Sequence, residues 1–165
     1  MIRRVAAGAL LLSLVLAAPA NAKLTPAQKL FRDKLLASKS VAHSVKVTLK
    51  KGGFVSSEIL VGDLTGEGKS DAVVTVDSGG SSGVIAVYVF SAGSGEDLKI
   101  VYRNQRLYRG GARLNPGPAL VYWLPSYKDG DELCCPSEFH ETELKWNPNT
   151  KRFGVAKRRT VLPTS

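Results

Sequence analysis

The chain of 165 residues is long enough for one domain with its own hydrophobic core, and it does not require a second domain. It carries 23 lysines and arginines against 14 aspartates and glutamates, a formal net charge of +9. This surplus favours weak attraction to anionic polymers or lipid head groups, without specifying a partner. No nucleic-acid recognition motif accompanies the charge, which argues against nucleic-acid binding, and no internal repeat indicates a propeller.

Residues 1–22 have the order of a cleavable export signal. Arg3 and Arg4 precede an apolar run over 5–16, and small residues end at Ala22. The run is shorter than the roughly 20 apolar residues that a transmembrane helix requires. Because no cysteine lies near the cleavage point, we expect no lipid anchor. The sequence predicts a released periplasmic or secreted protein with a single mature domain over 23–165.

The first predicted element of the mature domain is a helix over 25–38. Thr25 and Gln28 have the spacing of a capping box, with Pro26 at the first helical position. Phe31 and Leu35 continue an apolar stripe that begins at Ala27 and includes Leu30. This stripe predicts that one face of the helix packs on the core.

After this helix the apolar period changes from about four residues to two. Alternation and β-branched runs predict eight short strands separated by turns rich in glycine, proline and asparagine. These strands are expected at 45–50, 55–62, 71–76, 84–90, 98–102, 119–124, 139–146 and 153–156. One helix followed by eight strands predicts an α+β, mainly β fold, in which the helix packs on a curled or sandwiched, mostly antiparallel sheet.

The first candidate site is an acidic loop between two predicted strands. Oxygen-bearing side chains occupy loop positions 1, 3, 5 and 9, the Lys69 carbonyl is a further candidate ligand, and Gly68 permits the turn. The four side chains belong to Asp63, Thr65, Glu67 and Asp71. This loop resembles the FG-GAP type of calcium loop, from which it departs by threonine at position 3 and glutamate at position 5. The alternative is a hairpin loop in which Asp63 and Thr65 bond neighbouring backbone amides.

The second candidate site is the adjacent pair Cys134 and Cys135, which are the only cysteines. In an exported protein they can form a disulfide with each other, form bridges to another chain or remain free thiols. We expect a structural clip in the turn before Pro136. A redox function is the alternative, although no CxxC spacing or histidine pair is present to tune a reactive thiol.

Five features occur together in this sequence: the export signal, the acidic loop, the glycine- and serine-rich segment 77–83, the Cys134–Cys135–Pro136 motif and the segment 144–153. In this combination the sequence resembles the LppP/LprE family of bacterial cell-envelope proteins. The resemblance spans approximately residues 58–154. It implies a location at the cell envelope and a domain type rather than a reaction. The chain lacks the lipidation cysteine of the tethered members, which favours a soluble product.

Other polar residues suggest weaker candidate sites. Ser137 and His140 are close in sequence to acidic residues, but no strand–turn–helix elbow accompanies them, so we expect His140 on a wet strand face rather than in a catalytic triad. Four arginines interleaved with tyrosines are a candidate anion-binding stretch, or a solvated face: Arg103, Arg106, Arg109 and Arg113.

These observations predict a non-enzymatic exported binding or structural module of the cell envelope, with calcium as a candidate stabiliser. An anionic envelope polymer or another envelope protein is the expected partner. The alternatives are a periplasmic redox or hydrolytic enzyme that uses the 134–140 region, and a secreted enzyme inhibitor. No catalytic residue is assigned.

Overall fold

The computed structural model describes residues 24–92 and 97–163, so the predicted export signal lies outside the described residues. Two helices precede all the strands: α1 (Pro26–Ala37) and α2 (His43–Lys50). Nine strands follow within the described residues: β1 (Phe54–Val55), β2 (Leu60–Gly62), β3 (Asp71–Asp77), β4 (Val84–Ser91), β5 (Lys99–Asn104), β6 (Gly111–Asn115), β7 (Ala119–Ser126), β8 (Glu138–Asn147) and β9 (Arg152–Val161).

The strands form two antiparallel sheets. Sheet A has the order β1-β3-β4-β5, with β2 also paired to β3, and sheet B has the order β6-β7-β8-β9. The expected α+β, mainly β architecture with a sandwiched sheet is therefore confirmed. No helix among the described residues has the length and apolarity needed to cross a bilayer.

Helix α1 begins as the sequence predicts. The Thr25 side chain accepts the Gln28 amide, and the Gln28 side chain accepts the Thr25 amide, which completes the capping box. The same Gln28 side chain also donates through Nε2 to the Val55 carbonyl at 2.8 Å. One glutamine therefore caps the helix and fixes it to β1.

The predicted strand over 45–50 is wrong, because these residues form α2. Val45 and Leu49 are four residues apart, a spacing that fits a strand face and a helix face equally well. Val41, which precedes the helix, is buried in the same core, and all three side chains pack between the helices and sheet A. Packing of this stripe outweighs the modest helix propensity of the β-branched residues.

The predicted strand over 55–62 is two strands that lie along the same partner. β1 pairs with the end of β3, where Val55 faces Val76, and β2 pairs with its start, where Leu60 faces Val73. Between these two pairs, the four residues 56–59 lie opposite only two residues of β3, Val74 and Thr75. The regular pairing is therefore interrupted there.

Strand β6 is absent from the eight strands that the sequence predicts. Gly111 begins β6 and pairs with Trp123 of β7. The predicted strand over 153–156 is also too short, since β9 extends from Arg152 to Val161. Three consecutive basic residues over 157–159 interrupt the alternation of apolar and polar residues by which a strand is recognised, and such charged residues are common on exposed edge strands.

The sheets and helices make three layers with two hydrophobic cores. The first core lies between the helices and sheet A, where Phe31 and Leu35 meet Tyr88 and Phe90. The second core lies between the sheets and includes Val87, Val89, Leu120 and Leu144. Because strand side chains alternate, the residues beside Leu120 and Leu144 form an outer face of sheet B that points away from sheet A.

Candidate functional site

A polar cleft with a volume of about 400 Å³ lies beside the loop between β3 and β4. Four segments that are distant in sequence converge on it: 77–84, 109–110, 125–127 and 133–139. Its lining combines apolar and aromatic groups with one guanidinium (Arg109), one carboxylate (Asp77) and glycine backbone, a mixture typical of ligand sites. We call it the disulfide cleft because Cys134 forms part of its wall.

Arg109 is held against one wall of this cleft by the glycine- and serine-rich loop. Its amide donates to the Ser82 carbonyl at 2.9 Å, and its Nη1 donates to the Ser81 carbonyl at 2.9 Å. The Arg109 backbone has φ of 52°, which is uncommon for a residue with a side chain. The loop therefore orients a guanidinium that keeps unused N–H donors at the cleft.

The opposite wall is a loop organised by Asp131. One carboxylate oxygen accepts the amides of Lys128 and Ser137, each at 2.8 Å, and the other accepts the Ser137 hydroxyl at 2.7 Å. These hydrogen bonds, with that from the Lys128 amide foremost, lower the pKa of Asp131. The Tyr127 hydroxyl donates to the Leu133 carbonyl at 3.0 Å, which ties the tip of the loop to the end of β7.

The adjacent cysteines form a disulfide with each other, which confirms the intramolecular pairing expected of an oxidised chain. Their Cα atoms lie 3.8 Å apart, the ordinary spacing across a trans peptide. Both residues are exposed, and the neighbouring Leu133 side chain is 58% exposed although it is apolar. The tip of the loop therefore presents an apolar surface to the cleft and to solvent.

The acidic loop is closed by hydrogen bonds to its own backbone. Asp63 accepts the amides of Glu67 and Gly68 at 3.1 and 2.8 Å. Asp71 is buried, and it accepts the amides of Leu64 and Thr65, each at 2.8 Å. These contacts match the hairpin-loop alternative, except that Asp71 takes the role expected of Thr65.

No group of three or more histidine, cysteine, aspartate or glutamate side chains in residues 24–92 and 97–163 has an arrangement that could hold a metal ion. The loop positions of Glu67 and Lys69 are exposed. Calcium binding by this loop stays a prediction.

The four candidate anion-binding arginines lie in different parts of the molecule. Arg103 belongs to β5 of sheet A, Arg106 is exposed in the following loop, Arg109 lines the disulfide cleft and Arg113 lies on β6 of sheet B. Their closeness in sequence does not bring them to one surface, because the chain crosses from one sheet to the other between 104 and 111.

Ser137 and His140 have separate hydrogen-bond partners. The Ser137 hydroxyl donates to Asp131, whereas His140 Nδ1 lies 3.2 Å from the Thr160 hydroxyl on β9. His140 is exposed on its strand, as the sequence suggests. The described ranges contain no hydrogen bond between Ser137 and His140, so this histidine is not positioned as a base for the Ser137 hydroxyl.

A second polar centre lies on the outer face of sheet B. Both carboxylate oxygens of Glu141 are paired, Oε1 with Nη1 of Arg113 and Oε2 with Nε of Arg159 at 2.6 Å. The hydrogen bond from Arg113, opposed by burial and aided by Arg159, lowers the pKa of Glu141. The Arg113 guanidinium also lies 5.7 Å from the centre of the Trp123 ring, within the range of a cation–π contact.

Sequence reasoning missed Tyr127 and Leu133 of the cleft and Trp123 and Arg159 of sheet B. Only Trp123 carried a local signal, since it stands at an alternating position of a predicted strand. The other contacts depend on the pairing of β8 with β9 and on the loop fold. No protein-family model, curated protein or solved structure matches this chain.

Proposed function

We propose that this protein is an exported, non-enzymatic binding module of the cell envelope, and that the disulfide cleft is its ligand site. The single observation that carries the proposal is the convergence of four sequence-distant segments on one cleft of about 400 Å³. A volume of this size accommodates a small ligand or one unit of a polymer. The export signal at 1–22 and the resemblance to the LppP/LprE family support the envelope as its location.

The chemistry of the walls favours a ligand with both an apolar face and polar edges. Leu133 and Tyr127 offer apolar contact, whereas Arg109 offers N–H donors and Asp77 offers carboxylate oxygens. The domain's excess of lysine and arginine over aspartate and glutamate favours an anionic envelope polymer as the source of such units. The proposal requires no calcium and no catalytic step.

Co-sedimentation of the purified protein with isolated cell-wall polymer tests the binding role. Leu133→Ser removes an exposed apolar contact, which is worth about 1 kcal/mol, and should weaken binding about fivefold. Leu30→Ser, the same change at an exposed leucine of α1, is the matched control and should bind like the wild type. Absence of binding, or equal binding by Leu133→Ser and wild type, contradicts the cleft as the ligand site.

Location is tested independently by sequencing the amino terminus of the protein recovered from the periplasm and the medium. A chain that begins at Lys23 supports export with cleavage after Ala22. Recovery of the protein only from the cytoplasm, with Met1 retained, contradicts the proposed location.

A further inference from the structure

We infer that the outer face of sheet B holds a second binding site, specific for an oxyanion attached to an apolar or aromatic body. The site consists of the guanidinium pair Arg113 and Arg159 with an adjoining groove of about 420 Å³. We call it the guanidinium groove. It does not depend on the function proposed for the disulfide cleft, from which it differs in every lining residue except Phe139.

The first step of the argument is the way Glu141 positions the two arginines. Its side chain is 9% exposed, and each of its oxygens pairs with a different guanidinium. Arg113 comes from β6 and Arg159 from β9, the two edge strands of the sheet. A buried carboxylate therefore draws two cations together at the middle of the sheet, where they would otherwise repel each other.

The second step is that both guanidiniums keep donors for a ligand. A guanidinium has five N–H groups, and Glu141 is hydrogen-bonded to Nη1 of Arg113 and to Nε of Arg159. The side chains are 37% and 44% exposed, so the remaining donors are accessible to solvent. Paired guanidinium forks match the geometry of carboxylate and phosphate oxygens.

The third step is the local charge. Four cationic side chains on this face outnumber the carboxylates of Glu141 and Glu143, which leaves a surplus of two positive charges. The cations are Arg113, Lys145, Lys157 and Arg159. Glu143 is itself engaged by Asn115 at 3.2 Å and by Lys145 at 3.9 Å. An anion that reaches the guanidinium pair therefore replaces water rather than a protein partner.

The fourth step is the apolar floor next to the charges. The groove continues from the guanidiniums along Trp123, Phe139, Val161, Leu162 and Pro163. Leu162 is 73% exposed, so its side chain is available for contact with the apolar part of a ligand. A charged head at the arginines and an apolar body along these residues would satisfy both parts of the surface.

The test uses small probes that separate head from body. Benzoate and phenyl phosphate carry both parts, acetate lacks the body and benzyl alcohol lacks the charge. In calorimetric titrations, the two complete probes should bind about tenfold or more tightly than the incomplete ones, since each part contributes on the order of a tenfold factor. The tighter of the two complete probes identifies the head group as carboxylate or phosphate.

Two variants at neighbouring positions distinguish binding at this site from general attraction by the net charge of the protein. Arg159→Gln should weaken binding of the tighter probe about tenfold. Arg158→Gln removes the same charge from the neighbouring position of β9, on the other face of the strand. It should change the affinity for that probe less than about twofold. Melting temperatures of both variants establish that they are folded, and Arg159→Lys supplies a charge-conserving second variant, which should also bind more weakly.

Equal losses in Arg158→Gln and Arg159→Gln would mean that net charge alone attracts the probes, which overturns the proposal. Binding of benzyl alcohol as tight as that of benzoate overturns it as well. Leu133→Ser in the disulfide cleft should leave the affinity for either probe unchanged, so failure of one proposed site is distinguishable from failure of the other.

Discussion

Replacing Gln105 with alanine tests how the helical layer is attached to sheet A. The Gln105 side chain bridges three groups: Oε1 accepts the Ala42 amide and the Tyr88 hydroxyl, the latter at 3.0 Å, and Nε2 donates to the Ser40 carbonyl at 3.3 Å. It thereby joins the loop after β5 to the start of α2 and to the centre of β4.

The expected loss of stability follows from what each hydrogen-bond partner does once the Gln105 side chain is removed. Tyr88 is fully buried, so its hydroxyl would lose its partner in the core, at a cost of about 1–3 kcal/mol. The Ala42 and Ser40 groups are half-buried and can bond water instead, so they add about 0.5 kcal/mol each. We therefore expect Gln105→Ala to lower the free energy of unfolding by about 2–4 kcal/mol.

Urea denaturation followed by circular dichroism measures this difference. The midpoint should fall without a change in slope, because the same surface is exposed on unfolding. The control is Arg106→Ala, an exposed change at the next residue, which should stay within about 0.5 kcal/mol of wild type. In a Tyr88→Phe background the cost of Gln105→Ala should shrink by about 1 kcal/mol. A loss below about 0.5 kcal/mol in the wild-type background refutes the bridge as the attachment of the helical layer.

Three further predictions concern the sites. Gly111→Ala would place a methyl group 2.2 Å from Trp123 Cζ2. The free energy of unfolding in urea should fall by about 1–3 kcal/mol, and the fluorescence emission of Trp123 should shift. An unchanged emission spectrum contradicts the contact. Thermal melts with calcium and with chelator distinguish the two interpretations of the acidic loop. Coincident midpoints are expected if the loop is closed only by its own amides, whereas a higher midpoint with calcium that is lost in Asp63→Asn supports the cation site. Finally, the pKa of Glu141 is lowered in the folded state, so its ion pairs contribute their full stabilisation above the unfolded-state pKa of about 4.3 and lose it as the pH falls through the folded-state pKa. Glu141→Gln should therefore make the urea midpoint decline less steeply below about pH 5. A decline as steep as that of the wild type contradicts this role of Glu141.

The sequence predicts best those features that depend on neighbouring residues. The capping box of α1 is confirmed because Thr25 and Gln28 satisfy each other within one helical turn. The helix α2 was missed because Val45 and Leu49 fit both periods, and only their packing against sheet A in the tertiary structure decides between them. Adjacent cysteines pair with each other, which also needs no knowledge of the fold.

Candidate sites that depend on strand pairing were beyond local reasoning. Arg113 was grouped with arginines nearby in sequence, yet its partner Glu141 is 28 residues away. Arg159 meets the same carboxylate from β9, since Glu141 and Arg159 are paired across the sheet. Alternation on β8 shows that Glu141 and Glu143 share a face, but it cannot show which cations the neighbouring strands place opposite them.

The position of Phe139 relates the two proposed sites to each other. It is the side chain common to the linings of the disulfide cleft and the guanidinium groove, and it alternates with Glu141 on the outer face of sheet B. If both proposals hold, a polymer with regularly spaced anionic groups could contact Arg109 in one cleft and Arg159 in the other. Such a ligand would gain from both contacts within a single chain, because the second contact becomes intramolecular once the first is made. The two proposals together therefore predict that a polymer long enough to reach both clefts binds more tightly than one of its units binds either cleft.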